Sequence, residues 1–213
     1  WSVFRHEDVL RILGDHETFS NVVSRHPSVP NGMDPPDHTL YRRMIEPYFA
    51  PERIAAFEPV FRRIARGLVD HLGRNPSCDV IREFAEPYAV RIQCGFLGWP
   101  ESLHAPLLQW VYRNRAATLA RDPEAMAAVA PEFDGHIRAQ LEMRERAGAD
   151  AADDLTTCLL RQTVGGRRLD HAEIASILRN WTVGEIGTIA AGVGIILHFL
   201  AGRPDVQARL RGD

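Results

Sequence analysis

The sequence predicts a mainly α-helical protein. Apolar residues recur at three- and four-residue spacing through most of the chain, and no run of four or more residues alternates well enough to read as a strand of a large sheet. Proline and glycine fall where those periodic stretches begin and end. With 213 residues, 45% of them hydrophobic, the chain is long enough for one domain with a sizeable core. A net charge of −3 and dispersed arginines argue against a nucleic-acid partner. Cys78, Cys94 and Cys158 include no pair at metal-ligand spacing and, being three, make no even-numbered disulfide framework, which suits a reducing cytoplasm.

The elements follow in order. Residues 6–13 predict a short helix with Val9, Leu10, Ile12 and Leu13 inward, and residues 15–20 a turn. Residues 21–34 are irregular, with Pro27, Pro30, Asn31 and Gly32, and a loop of that length in a compact domain is often functional. Asp34 is expected to cap the next helix, with Pro35 and Pro36 in its first turn and Asp37 at the positive end of the helix dipole. Pro47 ends or kinks that helix. Pro51 opens another, reaching about Leu72, with Ile54, Phe57, Val60, Phe61, Ile64, Leu68 and Leu72 on the buried side; residues 73–76 break it.

Residues 81–97 predict a further helix, and residues 102–120 and 123–147 an antiparallel pair turning at Arg121 and Asp122. A short helix at 154–162 precedes a tight Gly165-Gly166 turn. Asp170 caps the longest helix, at about 170–202, and Pro204 starts a last one. Within the long helix, Glu185 and His198 bracket an uncharged stretch of twelve residues, 186–197, too short for a bilayer span of about 20, so a buried core helix is expected.

That helix carries its small residues in a row. At about 100° per residue, Gly184, Gly187, Ala191 and Gly194 share one stripe, with Thr188 at its edge and Ile186, Ile189, Val193, Ile196 and Leu200 opposite. Each interior glycine costs about 1 kcal/mol relative to alanine, a cost to be offset by close approach of another surface. That surface is either a neighbouring helix or a flat, rigid, apolar ligand. Upstream, His38 and Arg42 are four apart on one helical face, a cationic pair able to hold a ligand with two acid groups; Ile45 and Phe49 continue that face.

Read together, Asp34-Pro-Pro-Asp-His-Thr-Leu-Tyr-Arg-Arg at 34–43, the helices after it, the glycine-striped helix with Thr188, the opening Trp1-Ser-Val-Phe-Arg-His-Glu-Asp-Val and the Asp15-His-Glu-Thr-Phe-Ser turn resemble the N-terminal and central part of a bacterial cytochrome P-450. The resemblance spans essentially the whole chain. It implies a single partial P-450 domain over 1–213, running from the early helices through the long distal helix to the start of the next. It also implies haem as cofactor. His38 and Arg42 would hold a propionate, Gly184, Gly187 and Ala191 would give the porphyrin room, and Thr188 with Glu185 would be catalytic, relaying protons.

Two features depart from the family. The position before Thr188, usually an acid, is Gly187, and the nearest acid is Glu185; Glu185 is equally readable as a buried acid paired with an arginine elsewhere. The Glu-x-x-Arg motif and the cysteine loop that supplies the thiolate are not in this sequence. The expectation is therefore an internal fragment of a haem-dependent monooxygenase acting on a small organic substrate, inactive alone and with no metal ligand of its own. Its electron donor would be a ferredoxin or a flavin-containing reductase, attracted by residues such as Arg42, Arg43 and Arg53. The pocket is expected to be lined by 22–33, 120–123 and 183–188. The alternative is a helical interaction module that never held haem.

Overall fold

The computed structural model describes residues 2–23, 28–73 and 77–212. Among them are nine α-helices: α1 His6–Gly14, α2 Asp37–Ile45, α3 Pro51–Leu72, α4 Glu86–Leu97, α5 His104–Ala120, α6 Pro123–Ala147, α7 Leu155–Arg161, α8 His171–Ala201 and α9 Pro204–Gly212. Two short strands, β1 Thr163–Val164 and β2 Arg167–Arg168, pair antiparallel across the Gly165-Gly166 turn, where both glycines have positive φ.

The N-terminal half of α8 is the centre of the core. Ile174, Ile177, Leu178, Trp181 and Ile186 are buried there against α4 and α6, in one cluster with Ala89, Val90 and Leu97, Phe133, Ile137 and Leu141, and Leu155 and Leu159 of α7. Full burial of each large aliphatic side chain contributes about 1.5–3 kcal/mol, which is why so apolar a helix is fixed without strong propensity. Asp170 caps α8 with a complete capping box: its carboxylate accepts from the Glu173 backbone N–H while Glu173 accepts from the Asp170 N–H. The α4 segment is apolar almost all round and correspondingly buried. Gln93 of α4 donates to the Trp181 carbonyl, tying it to α8.

Buried polar groups pin the helix ends. The Trp99 indole donates to Thr156 Oγ1 at 3.0 Å, and that hydroxyl donates to the Leu97 carbonyl at 2.7 Å. Arg144 of α6, buried, donates to the Gly98 carbonyl at 2.6 Å and to Asp154 at 2.7 Å, while Asp154 caps α7 by accepting from the Thr157 N–H. Gly98, at φ 76°, ends α4, and a side chain there would collide with Asp154.

Several expectations are corrected. Asp34 does not cap α2 with its carboxylate, which accepts instead from the Ser20 hydroxyl at 2.6 Å and the Asn21 N–H at 2.8 Å, so the helix begins at Asp37. The inward face assigned to α1 is not buried, and Leu10 and Leu13 are exposed. On α3 only Leu68 is buried. The helix expected from 81 opens with a wide π-type turn over Val80–Ala85, capped by Asp79, before α4 begins at Glu86. The long helix is not core throughout: Ile195, Ile196 and Phe199 are exposed, and by length and composition α8 is long and apolar enough to cross a membrane. The break expected at 73–76 lies outside the described residues from 74 on, and part of the irregular segment, 24–27, does too.

Candidate functional site

The small-residue face of α8 divides into two parts. Gly184, Gly187, Thr188 and Ala191 are exposed, and a Cβ added to Gly184 or Gly187 would meet no atom within 4 Å. Gly194, expected on the same open stripe, is buried: its added Cβ would lie 2.3 Å from Ile81 Cδ1. Gly194 is thus a helix-packing glycine, whereas Gly184 and Gly187 border open space. The Thr188 hydroxyl donates back to the Gly184 carbonyl at 2.9 Å and the Glu185 carbonyl at 3.1 Å. Glu185 is exposed, so the reading of it as a buried acid paired with an arginine is wrong.

His38 is half-buried and Arg42 exposed on α2, with the Arg42 guanidinium 4.0 Å from Glu46. Ile45, expected to continue their face, points into the core. The chain after α2 is fastened to α8 by aromatic contacts: Phe49 meets Trp181 edge-on at 5.0 Å and Tyr48 lies 5.9 Å from it, one turn before Gly184. Arg43 is exposed, whereas Arg53 stacks over the Tyr48 ring at 5.1 Å. The middle of α2 is held by Tyr41, whose hydroxyl donates to Glu173 while Arg167 donates to both. Arg167 and Tyr41 hold the Glu173 carboxyl down at about 2, below the usual carboxylate range.

A cleft of about 490 Å³ opens between α5 and α8. Val183 and Gly187, expected in a pocket wall, do line it; the 120–123 turn does not, and α5 contributes Thr118 and Leu119 just before that turn. At its polar end Arg115 of α5 donates to Glu86 of α4. Glu86 is only 2% exposed, and its second oxygen, Oε2, is buried without a hydrogen-bond partner. The acid buried against an arginine is therefore Glu86, which the sequence reading missed. Its signal was an acid at the head of a helix whose i+3, i+4 and i+7 positions, Ala89, Val90 and Gln93, are all buried.

Arg42, exposed, and His38, half-buried, are cationic side chains on α2 able to bind carboxylates, and Gly184 and Gly187 leave the backbone of α8 open. Cys94 is buried and its thiol is pushed up to about 12 by burial, the opposite of what a thiolate ligand requires. Among the described residues no group of three or more His, Cys, Asp or Glu is placed to hold a metal.

No protein-family model matches the chain. It is 30% identical over 222 residues to "Probable cytochrome P450 127A1" of Sinorhizobium fredii, covering 100% of this chain and 52% of that protein. It is 31% identical over 188 residues to the erythromycin C-12 hydroxylase of Saccharopolyspora erythraea, covering 83% of this chain and 46% of that protein. Among solved structures, ligand-free cytochrome P450 TbtJ1 superimposes with a TM-score of 0.84 at 31% identity, covering 99% of this chain and 56% of that one. These matches place the chain in the cytochrome P450 family, with a partial P450 fold. The chain spans about half the length of the curated relatives it matches.

Proposed function

We propose that this chain is the distal-side portion of a haem-dependent monooxygenase that hydroxylates a small organic substrate. The observation that carries the reading is the open backbone at Gly184 and Gly187 beside the Thr188 hydroxyl, on a chain that matches a cytochrome P450 along its whole length and a P450 hydroxylase along 83% of it. Bound haem iron would supply dioxygen activation and oxygen-atom insertion. The chain's own residues then have separate tasks. Arg42 and His38 bind carboxylates, Arg42 through two parallel hydrogen bonds. Gly184, Gly187 and Ala191 leave room for a planar ring.

Thr188 holds a proton at Oγ1. That hydroxyl rests on helix carbonyls, 2.9 Å from the Gly184 oxygen, and can turn outward to donate across the open face. Glu185 is three residues away on the exposed side, where it can exchange protons with solvent and share a water with Thr188. The thiolate comes from elsewhere in the complete protein, so residues 1–213 alone are inactive. A ferredoxin or flavin-containing reductase supplies electrons, with exposed Arg42 and Arg43 available to an acidic donor, and the setting is cytoplasmic.

The test is coupling in the complete, haem-loaded protein. Thr188→Ala should raise hydrogen peroxide released per electron pair consumed, by about tenfold relative to product, in line with the loss of one proton-transfer group. Coupling equal to the parent removes Thr188 from the mechanism.

A further inference from the structure

We propose that the cleft between α5 and α8 is a ligand pocket that selects a neutral molecule, apolar except for one hydroxyl, with the hydroxyl donating to Glu86 Oε2. This names a substrate class for the monooxygenase reading and rests on it only for the fate of the bound molecule.

Glu86 has one unpaired oxygen. Glu86 is 2% exposed, Arg115 occupies Oε1, and Oε2 is buried with no partner. A buried acceptor left unpaired is costly, and the space beside it is a cleft of about 490 Å³, within the range of about 300–1,000 Å³ typical of small-molecule sites. Ile81, Trp110, Val111, Val183 and Ile186 give the cleft apolar walls, and Gly187 and Ala191 let a ligand approach the α8 backbone.

Charge then decides the kind of donor. Arg115 already neutralises Glu86, so an ammonium would bring a second cation beside the guanidinium, and a carboxylate would face the Glu86 charge. A neutral hydroxyl incurs neither repulsion and donates the hydrogen bond that Oε2 lacks. The Tyr112 phenol, raised by burial, by hydrogen bonding to Glu86 and by the Glu86 charge, is the protein group that competes with the ligand for this carboxylate.

Isothermal titration calorimetry on the complete protein tests the proposal with cyclooctanol, methylcyclooctane and cyclooctylammonium as probes. Cyclooctanol should bind about tenfold more tightly than either of the others, the effect of one hydrogen bond to a charged acceptor. Glu86→Gln should reduce that preference to about threefold or less, and Arg115→Met should shift it to the ammonium, with melting curves confirming that both variants fold. Equal binding of alcohol and hydrocarbon to the parent overturns the proposal, as does a preference that survives Glu86→Gln. A preference that emerges only in Tyr112→Phe also overturns it, because Tyr112 then fills Oε2. Heat reports binding without a haem signal. Alcohol selection in a protein that takes up no haem therefore sinks the monooxygenase reading alone, and a haem-loaded protein without selection sinks only the pocket.

Discussion

Gly194 lies so close to Ile81 that a methyl group on its α-carbon would fall 2.3 Å from Ile81 Cδ1, whereas one on Gly184 would meet no atom within 4 Å. The two glycines share a helix and serve opposite ends. At Gly194 the missing side chain admits a neighbour; at Gly184 it leaves the backbone bare to the outside.

Their alanine variants should therefore differ in size. Gly184→Ala should stabilise the protein by up to about 1 kcal/mol, because only helix propensity changes. Gly194→Ala should stabilise it less, because its methyl group must push aside Ile81 Cδ1, the far end of a flexible, half-buried side chain. Equilibrium urea denaturation measures both, and equal changes would show that the contact with Ile81 does not distinguish the two positions.

Acid stability should depend on Glu173. Its carboxyl sits at about 2 in the folded chain, held there by Arg167 and Tyr41, against about 4.3 in an unfolded one. The unfolded state takes up this proton first as pH falls. The contribution is therefore complete above about pH 4.3 and lost progressively down to about pH 2. Urea midpoints of Glu173→Gln and the parent should differ at pH 6 and converge toward pH 2. A constant gap across that window would mean that the ion pair contributes through packing alone.

How far the sequence was legible depends on the range of the interaction. Pro51, Pro123, Asp170 and Pro204 mark helix starts by local chemistry, and the structure begins helices at or one residue after each. Asp34 has the same local signature, but its carboxylate is taken by Ser20 and Asn21, fourteen and thirteen residues back, a competition that spacing does not reveal. Glu86 and Arg115 are 29 residues apart on different helices, so periodicity could flag the buried acid but not its partner. Gly194 obeys the same period as Gly187, and only the approach of Ile81 separates them. Leu10 and Leu13 form an amphipathic stripe that meets no core among the described residues.

The cysteines should react in a fixed order. Cys78 is exposed, while Cys94 is buried with its thiol pushed up to about 12. At pH 8 a thiol-specific reagent such as iodoacetamide should modify Cys78 readily and Cys94 only after denaturation, as read by peptide mass spectrometry. Rapid labelling of native Cys94 would contradict its place in the core.

In the proposed reading the bare part of α8 takes a planar macrocycle. Gly184→Leu separates that role from packing, because a Cβ there would meet no neighbouring atom within 4 Å, and the variant should leave the fold intact. Spectrophotometric haem titration of the complete protein should show uptake weakened by about ten- to a hundredfold relative to the parent, the scale of about 1–3 kcal/mol of steric conflict. Haem bound as tightly as by the parent, in a variant of unchanged melting temperature, would contradict the claim.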